Sequence, residues 1–227
     1  MRPVVVALAL ALLVVPLQAQ TKKTPAKRPA PASKAPARPA PPAPLTRVPA
    51  TMVCPSELGM GVATKRRYCD VLSGREPQVG VIVTVPPHQG TAILSFELHN
   101  RHTYSADLVK AKQAYRHYTA TIGVLTMDNT LVDRAIVDSE FRTESDLYDR
   151  ISGGAGPGGV KAVAPTGTEF VQFTLAANVT EVSILGEKLA VVRPDGTDNF
   201  TSAGRPIATI SNVMIEYRPA PPQRKKR

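Results

Sequence analysis

The 227-residue chain carries 28 Lys and Arg against 18 Asp and Glu, with 22 prolines, two cysteines and no tryptophan. Its formal charge of +10 invites a nucleic-acid partner, but the excess sits at the ends: residues 21–50 hold seven basic side chains and residues 218–227 hold five, neither stretch holding an acid. Residues 51–217 keep 15 basic residues against all 18 acids, a net charge of about −3, which argues against a domain that gathers Lys and Arg among stacking aromatics on a folded face.

In chain order, Arg2 and the apolar run Pro3–Leu17, followed by Gln18, Ala19 and Gln20, read as a secretory signal peptide over residues 1–20, cleaved after Ala19. The run is short of a membrane span, and the expected destination is the periplasm, cell surface or medium. No cysteine stands at the first mature position, which argues against a lipid anchor. Residues 21–50 are nearly all Ala, Pro, Lys and Arg, with too few large apolar side chains to form a core. Proline bars helix and central strand, and like charges repel. The segment therefore predicts a disordered, polyproline-II-rich arm with a reach approaching about 90 Å.

Residues 51–217 have the size of one ordinary domain, and residues 218–227 predict a second basic, disordered tail. An even, small number of thiols in an exported chain predicts a Cys54–Cys69 disulfide, and the Cys-x-x-Cys spacing of a redox centre is absent. From Val79 onward, short β-patterned runs alternate with turn residues. Val79–Val85 and Thr91–His99 flank Pro86–Gly90 and read as a hairpin, with Ala92, Leu94, Phe96 and Leu98 on one face. Ser105 predicts the cap of a short helix through Ala106 to Tyr115. His117–Thr126 alternates, with Tyr118, Ala120, Ile122 and Val124 on one side, and Leu131–Phe141 follows Asp128-Asn129. Further strands are expected at 160–164, 169–175, 181–185, 188–192 and 207–217.

This rhythm, without helical crossovers, predicts an all-β fold: a two-layer antiparallel β-sandwich, jelly-roll or immunoglobulin-like, with one short helix. The closing run Ile210-Ser211-Asn212-Val213-Met214-Ile215-Glu216-Tyr217 resembles the last strand of jelly-roll, galactose-binding-like modules. The resemblance covers about a dozen residues and implies a topology, with no binding residue attached.

Chemical motifs are sparse. Gly153-Gly154-Ala155-Gly156-Pro157-Gly158-Gly159 lacks the Gly-Lys-Ser/Thr ending of a phosphate-binding loop, because Val160 precedes Lys161 and Ala162 follows it; a mobile loop is expected. His99 and His102, three apart on a strand, face opposite sides, so His88, His99, His102 and His117 read as surface histidines rather than ligands. The acids from Asp133 to Asp149 (including Asp138, Glu140, Glu144 and Asp146) lack the order of a calcium loop and read as a solvated rim balanced by Arg134, Arg142 and Arg150. No metal or cofactor is expected, Ca²⁺ being the minority alternative. There is no Gly-x-Ser-x-Gly elbow and no His-Glu-x-x-His helix. Missing tryptophan weakens a sugar platform, although Tyr104, Tyr115, Tyr118 and Tyr148 could substitute. The sequons at Asn178 and Asn199 read as chance.

The sequence therefore predicts an exported, non-enzymatic binding or structural module of a bacterial cell envelope. Its partner would be an anionic surface, a wall polymer or an envelope protein, with electrostatic contacts from Lys22, Lys23, Lys27, Arg28, Lys34, Arg38, Arg224, Lys225, Lys226 and Arg227. The alternatives are a secreted carbohydrate-active enzyme using carboxylates such as Glu97, Asp138 or Glu140, and a protein-interaction module acting by β-augmentation.

Overall fold

The structure is a computed structural model and describes residues 43–221. The expected signal peptide, the expected arm up to residue 42 and the expected tail from residue 222, with the basic residues Lys22 to Arg38 and Arg224 to Arg227, lie outside the described residues. Twelve strands occur in chain order: β1 (Thr46–Pro49), β2 (Thr51–Val53), β3 (Glu57–Met60), β4 (Arg67–Leu72), β5 (Val81–Thr84), β6 (His88–Thr103), β7 (Arg116–Thr126), β8 (Leu131–Phe141), β9 (Val163–Leu175), β10 (Glu181–Arg193), β11 (Gly196–Phe200) and β12 (Pro206–Pro219), with a five-residue helix α1 (Ala106–Lys110) between β6 and β7.

Sheet A has the order β3-β4-β12-β6-β9, with β1 also paired to β12; sheet B has the order β2-β5-β10-β7-β8, with β11 also paired to β10. Every ladder within them is antiparallel. Stripped of the short strands, the two layers β4-β12-β6-β9 and β5-β10-β7-β8 have the strand order of a jelly roll, eight strands wound as two interlocked Greek keys. Successive long strands alternate between sheets, except for the β7–β8 hairpin. That alternation corrects the expected hairpin of residues 79–99. β5 pairs with β2 and β10, whereas β6 pairs with β12 and β9, so Pro86-Pro87 carries the chain from one sheet to the other.

The inward faces are those the alternation marked. Ala92, Leu94, Phe96 and Leu98 of β6 meet Tyr118, Ala120, Ile122 and Val124 of β7 in one core, with Val83, Val182, Ile184, Ile210 and Ile215. Phe96 stacks on Phe173, centroids 5.7 Å apart. The Cys54–Cys69 disulfide is formed, tying the link after β2 in sheet B to β4 in sheet A.

Boundaries differ from expectation in three ways. The folded part starts inside the stretch assigned to the arm, because Thr46–Pro49 pairs with Met214–Tyr217, and β12 runs to Pro219, into the expected tail. The strands expected at 160–164 and 169–175 are one strand β9, and those at 181–185 and 188–192 are one strand β10 with a bulge between Gly186 and Lys188. The helix stops after one turn. Ser105 caps it as expected, its Oγ accepting from the Leu108 N–H at 3.3 Å, but none of its residues is buried and Lys112 turns left-handed at φ 60°.

Candidate functional site

Residues 142–162, the connection from β8 to β9, fold back over the outer face of sheet A. Leu58, Tyr68 and Ile151 form a small second core beneath them, flanked by Tyr148 and Val163. The connection is pinned by Asp149, whose carboxylate accepts from the amides of Ala63 and Thr64 at 3.0 Å each, the Arg150 amide at 2.7 Å, the Thr64 hydroxyl at 2.6 Å and the Tyr68 hydroxyl at 3.4 Å. Burial alone would raise this carboxyl, but the hydrogen bonds from Thr64, Ala63 and Arg150 outweigh it and hold it below its usual range. Burial pushes the Tyr68 hydroxyl up to about 12, so it remains a donor.

Beside this knot, Glu97 of β6 accepts from Tyr148 at 2.8 Å and Asn212 at 3.1 Å and pairs with Arg66. Burial opposes ionisation of Glu97, and these partners outweigh it, holding its carboxyl down. His99, the next residue but one, is wholly buried, with Nδ1 2.9 Å from the Gly167 carbonyl and Nε2 2.9 Å from Ser211 Oγ. A carbonyl can only accept, so Nδ1 carries the proton and Nε2 accepts from the Ser211 hydroxyl. Gly167 sits at φ 62°, and a Cβ there would lie 2.4 Å from Ser139 Cβ, so only glycine brings this carbonyl to the ring. The arrangement is that of an activated serine, but Ser211 is 1% exposed and Tyr148 covers the imidazole at 4.5 Å between centroids, so no substrate reaches it. It fastens the connection to the sheet.

His102 points instead into the sandwich, where it stacks on Phe141 with centroids 3.6 Å apart and meets the Tyr118 hydroxyl at 2.7 Å. Its Nε2 and the nearby Asn100 Oδ1 have no partner. Burial, seconded by the Arg116 charge, depresses His102 to about 4. The two histidines thus face opposite sides as the spacing required, but both are buried, correcting the expectation of a surface pair.

On the outer face of sheet B, Asp138 accepts from Thr119 at 2.6 Å and bonds His117 Nε2 at 2.8 Å, and Glu140 pairs with Arg142 at 2.7 Å and accepts from Tyr115 at 3.3 Å. Thr119 and then His117 hold Asp138 down; Arg142 does the same for Glu140. Glu97 lies on the other sheet, so the three carboxylates considered for hydrolysis are not brought together. Of the expected rim, Glu144 pairs with Arg150 and Glu140 with Arg142, whereas Arg134 pairs with Glu187 outside the cluster and Asp149 is buried. Among the described residues no three His, Cys, Asp or Glu side chains converge to hold a metal ion. The glycine-rich run closes on itself, Gly154 N–H donating to the Gly159 carbonyl and Gly156 N–H to the Val160 carbonyl. The four tyrosines are engaged too. Tyr104 and Tyr115 carry the guanidinium groups of Arg150 and Arg142, Tyr148 covers His99, and Tyr118 lies in the core.

A groove of about 950 Å³ lies between the β4–β5 connection, the β7–β8 turn, the middle of β10 and the β11–β12 connection. Leu72, Val79, Leu125 and Leu185 give it an apolar lining, and Arg75, Glu76, Asn129, Glu187 and Thr201 place polar groups around them. Local sequence builds its wall. Gly186 lets the chain after β4 cross onto sheet B, the Gly74 N–H donating to its carbonyl at 3.1 Å, and Ser183 Oγ holds the 3-10 turn Pro77–Val79 by donating to the Pro77 carbonyl at 2.6 Å. Glu187 is gripped by Arg134 through both oxygens, at 2.8 and 2.9 Å. An apolar lining with polar groups at its border, one of them fixed, suits retention of a ligand or chain segment. Sequence reading missed this groove because its lining comes from four distant segments, none with a motif.

No family model and no curated protein matches the chain. Among solved structures, it is similar to the VP2 subviral particle protein of infectious bursal disease virus at 12% identity, covering 77% of this chain and 33% of that one with a TM-score of 0.26. It is also similar to the catalytic domain of a GH87 alpha-1,3-glucanase in complex with nigerose, at 12% identity, 82% and 30% coverage and a TM-score of 0.28. The chain spans about a third of the length of either.

Proposed function

We propose that this protein is an exported binding module, not an enzyme, which holds its ligand or partner in the groove on sheet B while the basic arm and tail keep it at an anionic envelope surface. The observation that carries the reading is the groove itself, apolar within and bordered by polar residues, of which Glu187 is held in place by Arg134. Two further features support it. The carboxylates Glu97, Asp138 and Glu140 are each held ionised by their own partners, which leaves them poor general acids near neutral pH. Basic residues are segregated to the sequence on either side of the domain, where ten of them, from Lys22 to Arg38 and from Arg224 to Arg227, are free of acidic neighbours in sequence. Lys and Arg near an anionic surface contribute about 1 kcal/mol each, screened by salt.

The testing experiment is co-sedimentation with purified envelope fractions across a salt series, comparing the mature chain with residues 43–221. The shorter chain retains β1 and the whole of β12, which truncation to 51–217 would damage. Binding by the mature chain that weakens with salt to a plateau, the plateau being shared by residues 43–221, supports both halves of the reading. Loss of all binding by a few tenths molar salt, on the scale set by electrostatic screening, refutes the role of the groove at the envelope.

A further inference from the structure

The jelly roll leaves part of one long strand edge without a hydrogen-bonded partner among the described residues. In β9 the first five residues are covered, Leu147 bridging to Thr166 and the Tyr148 N–H donating to the Pro165 carbonyl at 2.9 Å. From Glu169 to Leu175 the strand pairs with β6 on one side; β8 of sheet B packs beside β9, with Ser139 against Gly167, but among the described residues no backbone hydrogen bond reaches the other edge of this run. Other edges are protected or short. β8 carries Asp133, Arg134, Asp138 and Glu140 along its length, β1, β2 and β11 have three to five residues, and β3 continues into the bridge between Gly61 and Ile151. Charged side chains and short strands are the usual defences of an edge, and β9 has neither beyond Glu169. The run Phe170-Val171-Gln172-Phe173-Thr174-Leu175 is uncharged, and Phe170 is 51% exposed.

We propose that this edge is a self-pairing interface, through which two copies of the chain join their β9 strands antiparallel about a two-fold axis at Gln172. The occupant is a second copy because the sequence is complementary to itself in that register. Opposed residues in an antiparallel pair share a face, so Gln172 faces its own counterpart, Val171 faces Phe173, and Phe170 faces Thr174. Glu169 then faces Leu175, so no like charges meet. Sheet A of one copy continues into sheet A of the other, and the exposed Phe170 ring gains a cross-strand neighbour. The outer face of sheet B and its groove stay open in both copies, so the inference stands independently of the proposed ligand.

Analytical ultracentrifugation of the mature chain, from about 1 to 500 µM, reads the weak association expected of a small interface. The wild type is expected to shift from monomer to dimer. The exposed pair of substitutions Phe170→Lys with Gln172→Lys gathers four ammonium groups at the axis and is expected to lower the association constant at least about tenfold, as is Phe170→Glu with Gln172→Glu. An equimolar mixture of the two variants restores the dimer, because opposite charges then face each other. Circular dichroism matching the wild type separates lost pairing from lost folding. A wild type monomeric throughout, a folded lysine variant that dimerises like the wild type, or a mixture of folded variants that stays monomeric overturns the proposal.

Discussion

Mild acid should destabilise this protein through His102. The ring is 4% exposed, stacked on Phe141 and near the Arg116 charge, and its pKa of about 4 compares with an ordinary value of about 6.5. The unfolded chain therefore binds the extra proton first. The stability contribution is complete above pH 6.5, falls as pH drops from 6.5 towards 4, and is fully lost below that. A shift of about 2.5 units corresponds to about 3.4 kcal/mol in total, of which about 2 kcal/mol is gone by pH 5. His99, also lowered by burial, acts in the same direction. Urea unfolding at pH 7, 6 and 5, followed by far-ultraviolet circular dichroism because the chain lacks tryptophan, measures the slope. His102→Asn keeps an acceptor near the Tyr118 hydroxyl but cannot titrate. It is expected to be less stable than wild type at pH 7, through lost stacking, yet to lose about 2 kcal/mol less between pH 7 and 5. Equal slopes for the two proteins would refute the assignment of the acid sensitivity to this imidazole.

Three other outcomes follow from the packing. Replacing Cys54 and Cys69 by Ala releases a 15-residue separation and should cost about 3 kcal/mol by loop entropy, read as a lower urea midpoint than the oxidised wild type. Asp149→Asn leaves an amide facing donors that now meet one acceptor oxygen; a loss of about 2–3 kcal/mol, with faster hydrogen exchange at Ala63, Thr64 and Arg150, is expected. Gly80→Ala puts a Cβ 2.2 Å from Ser183 Oγ and 2.7 Å from the Ile184 carbonyl oxygen, and should destabilise by about 1–3 kcal/mol while displacing the Pro77–Val79 turn that walls the groove. A Gly80→Ala protein as stable as the wild type would show that the turn is not packed as described.

Legibility in the sequence followed the range of the interactions. Leu131–Phe141 was readable to the residue because Asp128-Asn129 marks its turn, Asn129 taking the left-handed φ of 67°, and because one face of β7 is unbroken by charge. Alternation identified which side of β6 faces the core but not which sheet it joins, so Pro86-Pro87 read as a turn and proved to be a crossing. β1 and β4 were missed because both pair with β12, far along the chain, and a Pro-containing strand such as Thr46–Pro49 has little propensity of its own; β2 and β3, at three and four residues, are too short to show an alternation. The gaps left between the expected strands, 165–168 and 186–187, contain Gly167 and Gly186, and each gap lies inside one continuous strand. The disulfide was legible from the even cysteine count and the expectation of export. The groove, the Asp149 knot and the two histidine environments depend on contacts between residues tens of positions apart, which no local pattern encodes.

The most direct test of the central claim is the binding of residues 43–221 to envelope fractions at about 0.5 M salt, where contacts of exposed charges are screened, with the parent compared to Ala203→Arg. Ala203 is an exposed residue of the β11–β12 connection lining the groove, so the arginine should fill the groove without disturbing the core. Retention of the parent and loss of the folded variant are the predicted results. Retention of both to the same extent would contradict the groove as the site of binding.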